Sequence, residues 1–226
     1  MKITVGGTKG GSGKTTIATN LACIAAGEGA DVLLVDADDQ QTAADFTAAR
    51  KQDHPNAPSY TCIKLTGSAV RTELLKITPK YDHIIIDAGG RDTTSQRAAL
   101  SVSDLLLIPF VPRSFDVWAI DHIAAIVEEM RSINPDLEAC TFINRADPDG
   151  QGNDNEDAVA EVRKRPVLTL LDAPVGSRKA FAHAAGQGLA VTELKGSFRN
   201  QRAIEEMLTL YQRCFDTKVT LQKARG

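Results

Sequence analysis

The segment that decides the fold is Thr8-Lys9-Gly10-Gly11-Ser12-Gly13-Lys14-Thr15-Thr16, which lies between a short apolar run at 3–5 and a helix-like run at 17–27. A strand, a glycine-rich turn and a helix start form the context in which a phosphate-binding loop (P-loop) is expected. Backbone N–H groups of such a loop point at phosphate oxygens, and the helix N-terminus adds its positive dipole end. The segment therefore predicts a nucleotide site; a turn that only caps a helix is the alternative.

Individual residues of this loop have predicted roles. We expect Lys14 to reach the β- and γ-phosphates and the Thr15 hydroxyl to bind Mg²⁺. The strict pattern has glycine where this chain has Thr8. The glycines that allow the turn instead follow an extra lysine, Lys9. The predicted nucleotide-binding residues of the loop are Gly10, Gly11, Ser12, Gly13, Lys14, Thr15 and Thr16.

Seven apolar runs, bounded by turn residues, recur along the chain and alternate with segments of helical spacing. The runs cover residues 3–5, 32–35, 60–65, 84–86, 105–108, 140–143 and 167–171, and apolar helical faces fall at 17–25, 120–130 and 204–211. Strands that are apolar throughout are typical of a sheet covered by helices on both faces. The alternation predicts an α/β fold with a doubly wound, mostly parallel sheet. We expect a single P-loop domain over 1–226, a mobile loop at 146–155 and a flexible tail at 217–226.

Acidic residues follow two of these apolar runs and belong to the same predicted site. Asp36 and Asp38 come after the second run, and Asp87 ends the fourth. Carboxyl ends of parallel strands face the ligand, so we expect these carboxylates beside the phosphates. Asp87 is the predicted Walker B carboxylate that holds Mg²⁺, and Gly90 would let a backbone N–H meet the γ-phosphate as part of a switch. Helix capping is the alternative for Asp36 and Asp38.

Composition narrows the class of protein. With 42% hydrophobic and 24% charged residues, the 226-residue chain has an ordinary globular composition. No apolar run approaches the roughly 20 residues of a membrane span, and Met1 leads almost directly into the first strand, so we expect no signal peptide. The four cysteines are scattered, which favours isolated thiols in a reducing compartment. These features predict a cytoplasmic protein.

Charge is unevenly distributed along the chain. Residues 1–150 contain 14 basic against 20 acidic residues, whereas residues 151–226 contain 12 against 9. A basic C-terminal part is compatible with a polyanionic partner, although solvated helix faces produce similar counts.

The segment 9–16, with its extra lysine, resembles the deviant Walker A box of the ParA/MinD group of P-loop ATPases. The resemblance implies that ATP and Mg²⁺ are bound and that Lys9 reaches across an ATP-dependent homodimer to the partner subunit's phosphates; a solvated loop lysine is the alternative. It also implies a first switch in which Asp38 holds or polarises the attacking water and Asp36 lies near Mg²⁺. Asp39 stands where the family has proline, which leaves the stiffness of this switch open.

Two positions resemble the family's base pocket. Asn144, at the end of the sixth run, is similar to the residue that hydrogen-bonds the adenine edge, and Pro174 would supply the other wall. The Asn-Lys-x-Asp box of GTPases is missing, but Asn-Arg-Ala-Asp at 144–147 keeps GTP open. The turn at 112–116 resembles the family segment that buries dimer contacts.

The segment 178–191 resembles the family element Arg-x-x-x-x-Glu-Ala-x-x-x-Gly-x-x-Val, although the glutamate is absent near His183. The resemblance implies a positive face on the ATP-bound dimer that binds nonspecific DNA through phosphates without reading bases. The candidate DNA contacts are Arg178, Lys179, Lys195, Arg199 and Arg202.

Among ParA proteins the resemblance is to the short, ParF-like type. It implies an ATPase that turns over slowly, is stimulated by a ParB-like or other partner, and positions a plasmid, chromosome or cytosolic cargo while associated with the nucleoid. One alternative is a small-molecule ligase or synthetase with the same loop, for which Arg91 and Asp92 could bind substrate. Another is MinD-like membrane cycling, made unlikely by the few large apolar residues at 217–226.

Overall fold

The computed structural model describes residues 1–90, 92–112, 117–147 and 154–225, with the backbone alone at 117, 118, 154 and 217–225. The strands are β1 (Lys2–Val5), β2 (Val32–Ala37), β3 (Thr61–Lys64), β4 (His83–Ala88), β5 (Leu105–Phe110), β6 (Glu138–Ala146), β7 (Thr169–Leu170) and β8 (Val175–Gly176). The helices are α1 (Lys14–Gly27), α2 (Thr42–Asp53), α3 (Ala69–Ile77), α4 (Thr94–Leu100), α5 (Val117–Arg131), α6 (Asp154–Arg163), α7 (Lys179–Gly186) and α8 (Gln201–Arg225).

These strands form a parallel sheet in the order β3-β2-β4-β1-β5-β6-β7, and β8 pairs with the end of β6. From β1 the chain first builds the half of the sheet that contains β2 and β3, and later the half that begins with β5. The strand order thus reverses beside β1, where a doubly wound sheet opens a crevice for ligands. The predicted doubly wound parallel sheet is confirmed.

Alternate residues of the strands enter two separate cores, as a pleated strand requires. Leu34 of β2 packs in the cluster built with α1, α2, α7 and α8. Its neighbour Leu33 belongs to the cluster on the opposite face, with α3 and α4. Helices α5 and α6 continue that second layer over β5 and β6. Because both faces are covered, the strands read as continuous apolar runs.

Helix α8 continues beyond the core to Arg225, so residues 217–225 have a helical backbone. The flexibility predicted for this segment stays a prediction. Met207, Leu210 and Cys214 anchor the first half of α8 in the core. No glycine or proline interrupts 201–225, and extending an anchored helix costs far less than nucleating one. Of the predicted mobile loop at 146–155, residues 148–153 lie outside the described part of the chain.

Helix α2 is joined to the C-terminal part of the domain by a buried ion pair, the Arg50–Glu193 pair. The Arg50 guanidinium donates to both carboxylate oxygens of Glu193 at 2.7 Å and to the carbonyl of Gly188 at 3.2 Å. Gly188 has φ +65°, and a Cβ there would lie 2.7 Å from the Arg50 backbone nitrogen. The next turn is tied to α1, since the Val191 N–H donates to Asn20 Oδ1 at 2.8 Å. Residues 188–193 therefore lie directly on both helices. Within the described residues, no helix is both long and apolar enough to cross a membrane.

Replacing Gly188 with alanine should destabilise the domain by about 2 kcal/mol or more, because the new Cβ meets the backbone of α2 and the left-handed conformation disfavours alanine. Gly27→Ala is the matched control, since that exposed helical position has free space around a Cβ. The control should be neutral or stabilising by up to about 1 kcal/mol. Urea denaturation of both variants measures the difference; equal stabilities would contradict the close packing at Gly188.

Candidate functional site

The P-loop lies at the carboxyl end of β1 with its backbone open to the crevice. Gly11 and Gly13 have φ values of +73° and +92°, where glycine is favoured. A Cβ at Gly10 or Gly11 would meet no atom within 4 Å, so this side of the loop is free to receive a ligand. The predicted cradle for phosphates is therefore compatible with the backbone that the sequence forms.

Lys14, the first residue of α1, lies buried inside the loop. Its ammonium donates to the carbonyl of Lys9 at 2.7 Å and lies 3.5 Å from Ser12 Oγ. Burial lowers the pKa of Lys14, and the nearby carboxylates of Asp87 and Asp38 oppose this shift. The positive charge is thus held in the position where the phosphates of a nucleotide are expected. Lys9 itself is half-buried.

Asp87 ends β4 beside this loop and is 1% exposed. Among the described residues, neither of its carboxylate oxygens makes a hydrogen bond of good geometry, and the Thr15 hydroxyl is the polar side-chain group close enough to favour the charged form. Burial raises the pKa of Asp87 to about 7, an effect that Thr15 and Lys14 oppose and that Asp36 and Asp38 reinforce. A buried carboxylate without good hydrogen bonds is costly, and a hydroxyl and a carboxylate are ligands that Mg²⁺ accepts. The predicted metal residues Thr15 and Asp87 therefore fit this ion.

Asp36 is paired with Asp87 in the register of β2 and β4 but has a different environment. Its Oδ1 accepts the Asp38 N–H at 3.2 Å and its Oδ2 accepts the Ala44 N–H at 2.8 Å. Burial raises the pKa of Asp36, and these two N–H groups limit the rise. The carboxylate thus organises the first switch and the first turn of α2, as the capping alternative expects. Its place near Mg²⁺ stays a prediction.

The two predicted switches meet at the P-loop. Asp38 accepts the Gln40 N–H at 3.1 Å, and a Cβ on Gly89 would lie 3.3 Å from its carboxylate. A Cβ on Gly90 would lie 2.8 Å from both the Gly10 nitrogen and the carbonyl oxygen of Lys9. Gly90 therefore packs its backbone against the loop, so a displacement of Gly90 toward the loop would also displace Lys9 and Gly10.

Asn144 holds the P-loop from its other side. Its Nδ2 donates to the carbonyl of Ser12 at 2.6 Å, and the side chain is buried. A Cβ on Gly13 would lie 2.5 Å from this amide nitrogen, which is a second reason for glycine there. The role of Asn144 in supporting the loop was not predicted, and its contact with the base stays a prediction.

A cleft lies beside Gly13 and Asn144, next to the P-loop. Its remaining lining includes Thr16, Ile17, Val175, Gly176, Ser177 and Phe181. Pro174, the predicted second wall, is exposed and does not line this cleft. Val175, the next residue, begins β8 and lines the cleft, so the contact of Pro174 with a base stays a prediction.

The five predicted DNA contacts have two kinds of environment. Arg178 donates to both carboxylate oxygens of Glu206 at 2.9 and 2.5 Å, and the Gly176 N–H donates to the same carboxylate. This guanidinium is engaged within the domain by Glu206, and its contact with DNA phosphates stays a prediction. The other four side chains are exposed at the surface of the C-terminal part: Lys179, Lys195, Arg199 and Arg202.

Sequence reasoning missed Gln96 on α4. Its Oε1 accepts the Gly7 N–H at 3.1 Å, and its side chain is fully buried. It thereby joins the helix after the second switch to the start of the P-loop. Its helical spacing to Ala99 and Leu100, both buried, is the signal that could have placed it on the inner face of α4.

Asp92 has an ion-pair partner rather than an open binding position. Arg97 donates to both of its oxygens at 2.6 and 2.9 Å and lowers its pKa. The ligase alternative relied on Asp92 and on Arg91, which lies outside the described residues. The turn at 113–116, with its predicted dimer contacts, also lies outside them.

A parallel doubly wound sheet with a phosphate loop at its switch point defines a P-loop nucleoside triphosphatase fold. A family model described as the CobQ/CobB/MinD/ParA nucleotide binding domain matches residues 3–191. The chain therefore belongs to this family of nucleotide-binding ATPases, and the predicted ParA/MinD relationship is confirmed.

Relatives of similar length share the fold over almost the whole chain. The maintenance of carboxysome distribution protein A of Halothiobacillus neapolitanus is 27% identical over 207 residues, covering 91% of this chain and 92% of that protein. The protein of the same name from Gloeobacter kilaueensis is 30% identical, covering 87% and 85%. The ATP complex of a Cyanothece McdA variant superposes with a TM-score of 0.72 at 17% identity, covering 92% of this chain and 95% of that one.

Gly90→Ala should weaken nucleotide binding by about tenfold or more, because its Cβ would displace the loop backbone at Lys9 and Gly10. Gly89→Ala is the control, since there the nearest atoms to the Cβ are those of the Asp38 carboxylate, at 3.3 Å or more, and not the backbone of the P-loop. Calorimetric titration with a non-hydrolysable ATP analogue compares the two variants. Similar affinities for both would show that the loop is not held by Gly90.

Asp87 should make the metal-free protein less stable as the pH rises. The folded state keeps the Asp87 proton up to a pKa of about 7, whereas the unfolded chain loses it near about 3.9. Between these values the folded state binds more protons, so its free energy of unfolding falls with increasing pH. Urea midpoints in EDTA should therefore decline relative to Asp87→Asn from about pH 4 to about pH 7. A constant difference between the two proteins would refute the shifted pKa.

Proposed function

We propose that this chain is an ATP-driven positioning switch that dimerises on ATP, binds DNA nonspecifically and is released when a partner protein stimulates hydrolysis. The observation that carries the proposal is the P-loop itself, in which two lysines have different environments: Lys14 is buried inside the loop, whereas Lys9 is half-buried. We assign Lys14 to the phosphates of its own subunit. Lys9 is proposed to reach the phosphates of a second subunit.

ATP with Mg²⁺ is the proposed ligand of the crevice. The open glycine backbone and the Lys14 ammonium would bind the phosphates, and Thr15 and Asp87 would hold Mg²⁺, which neutralises phosphate charge during hydrolysis. Asp38 is half-buried beside Gly89 and is the proposed group that orients the attacking water. A site whose catalytic groups are completed only by a second subunit should turn over slowly alone.

The proposed DNA surface consists of the exposed residues Lys179, Lys195, Arg199 and Arg202. Side chains of this kind bind phosphates irrespective of base sequence, so affinity should fall steeply with salt. Because one subunit offers only a few such contacts, two subunits joined by ATP would bind far more tightly than one.

A large cytosolic cargo is favoured by the relatives, which are described as maintaining carboxysome distribution and match this chain over nearly their entire length. We propose that this chain likewise distributes a large body within the cell. Its partner would be an adaptor on that body that stimulates hydrolysis, in the manner of a ParB-like protein.

Lys14→Ala should abolish nucleotide binding, because the buried ammonium is the main charge facing the phosphates. Lys9→Ala should keep binding within a few-fold but lose ATP-dependent dimerisation. Titration calorimetry and sedimentation velocity with an ATP analogue separate the two effects. Normal dimerisation of Lys9→Ala would overturn the proposed dimer.

DNA binding is tested with a duplex of arbitrary sequence and no nucleotide, ADP, ATP or a non-hydrolysable analogue, over a range of salt concentrations. We expect binding only with ATP or the analogue, with a strong salt dependence. If the protein binds ATP but not DNA in any state, the DNA-dependent switch is refuted, and small-molecule substrates and lipid vesicles become the next ligands to test.

A further inference from the structure

An exposed aromatic ring lies in the middle of the proposed DNA surface. Phe198 is 48% exposed, although it is one of the largest apolar side chains of the domain. It lines an open groove between the start of α7 and the turn before α8, together with Lys179, His183 and Arg199. This groove is termed the basic groove below.

The ring is held in a defined position. It stacks on the imidazole of His183 with a centroid distance of 4.7 Å and an interplanar angle of 32°. The single turn that carries it, Gly196–Phe198, starts at a glycine with φ +61° and is closed by the Arg199 N–H donating to Gly196. Asn200 then caps α8 by accepting the Ala203 N–H at 3.0 Å. Phe198 is thus presented on a rigid support rather than on a loose loop.

The charged residues around Phe198 indicate which kind of molecule would bind there. Lys179, Lys195 and Arg199 are exposed beside or next to the groove. Glu206, the carboxylate at its edge, is already bound to Arg178. A second copy of the chain bound face to face would bring these like charges together. A polyanion with flat apolar surfaces between its charges fits the groove better, and DNA has this chemistry.

We propose that Phe198, supported by His183, inserts into a base step of the DNA while the surrounding basic residues bind the flanking phosphates. Apolar wedges of this kind enter the minor groove and partly unstack a step without demanding a particular sequence. The inference rests on the proposed DNA-binding function and adds a base contact to a surface otherwise expected to bind phosphates alone.

The test uses the full-length protein with an ATP analogue and a duplex that contains 2-aminopurine, whose fluorescence rises when it is unstacked. Wild-type protein should raise the fluorescence on binding. Phe198→Ala should remove this rise and weaken binding by about tenfold with the salt dependence unchanged. Lys179→Ala should keep the rise in the bound complex and lower the salt slope by about one for each subunit, and so by about two for the proposed dimer. Phe198→Trp should restore both affinity and signal.

Leu75→Ala is the matched control, because Leu75 is a similarly exposed apolar residue on α3. It should leave affinity and fluorescence at wild-type values. The proposal is overturned if wild-type binding gives no fluorescence rise or if Phe198→Ala binds DNA normally. It is also overturned if Phe198→Ala loses ATP-dependent dimerisation or only partner stimulation, since the ring would then serve a protein interface. Failure of the wild type to bind DNA at all would instead refute the proposed function.

Discussion

The phosphate loop has to hold its shape although its glycines leave one side open for a ligand, and contacts from several parts of the domain support it. Three contacts from outside the loop meet it: the Asn144 amide on Ser12, the Gln96 amide on Gly7 and the backbone of Gly90 against Gly10. They come from β6, from α4 and from the segment after β4. The order of the strands brings these elements to the edge of β1, so the shape of the loop depends on the whole sheet.

The same edge of the sheet holds two buried ionisable groups, Asp87 and Lys14, whose charged forms the protein compensates only in part. The carboxylate of Asp87 is buried without a hydrogen bond of good geometry, and the ammonium of Lys14 is satisfied mainly by a carbonyl of its own loop. Both arrangements disfavour the charged forms, as the directions of the two pKa shifts indicate. A nucleotide with its metal would bring opposite charges to both groups. Part of the binding free energy is therefore prepared in the apo fold.

The sequence was sufficient for the sheet, the loop and the carboxylates at the strand ends, because each has a strong local signal. The short strand β8 could not be predicted, since two residues that pair with a bulged strand end show no periodicity. The hydrogen-bond partners of Asn144 and Arg178 could not be predicted either, because Ser12 and Glu206 are distant from them in sequence. From sequence alone, nothing distinguishes an arginine that binds phosphate from one that, like Arg178, is paired with a carboxylate of the same domain.

The Arg50–Glu193 pair connects the C-terminal part of the domain to α2, the helix that follows the predicted first switch. Asp36 accepts an N–H from the first turn of α2, and the far half of the same helix is bound to residues 188–193, with Gly188 seated on its backbone. Just beyond this contact the chain reaches Lys195 and the turn that carries Phe198. If α2 tilted as a rigid body, a small displacement at its nucleotide end would therefore become a larger displacement at the outer surface.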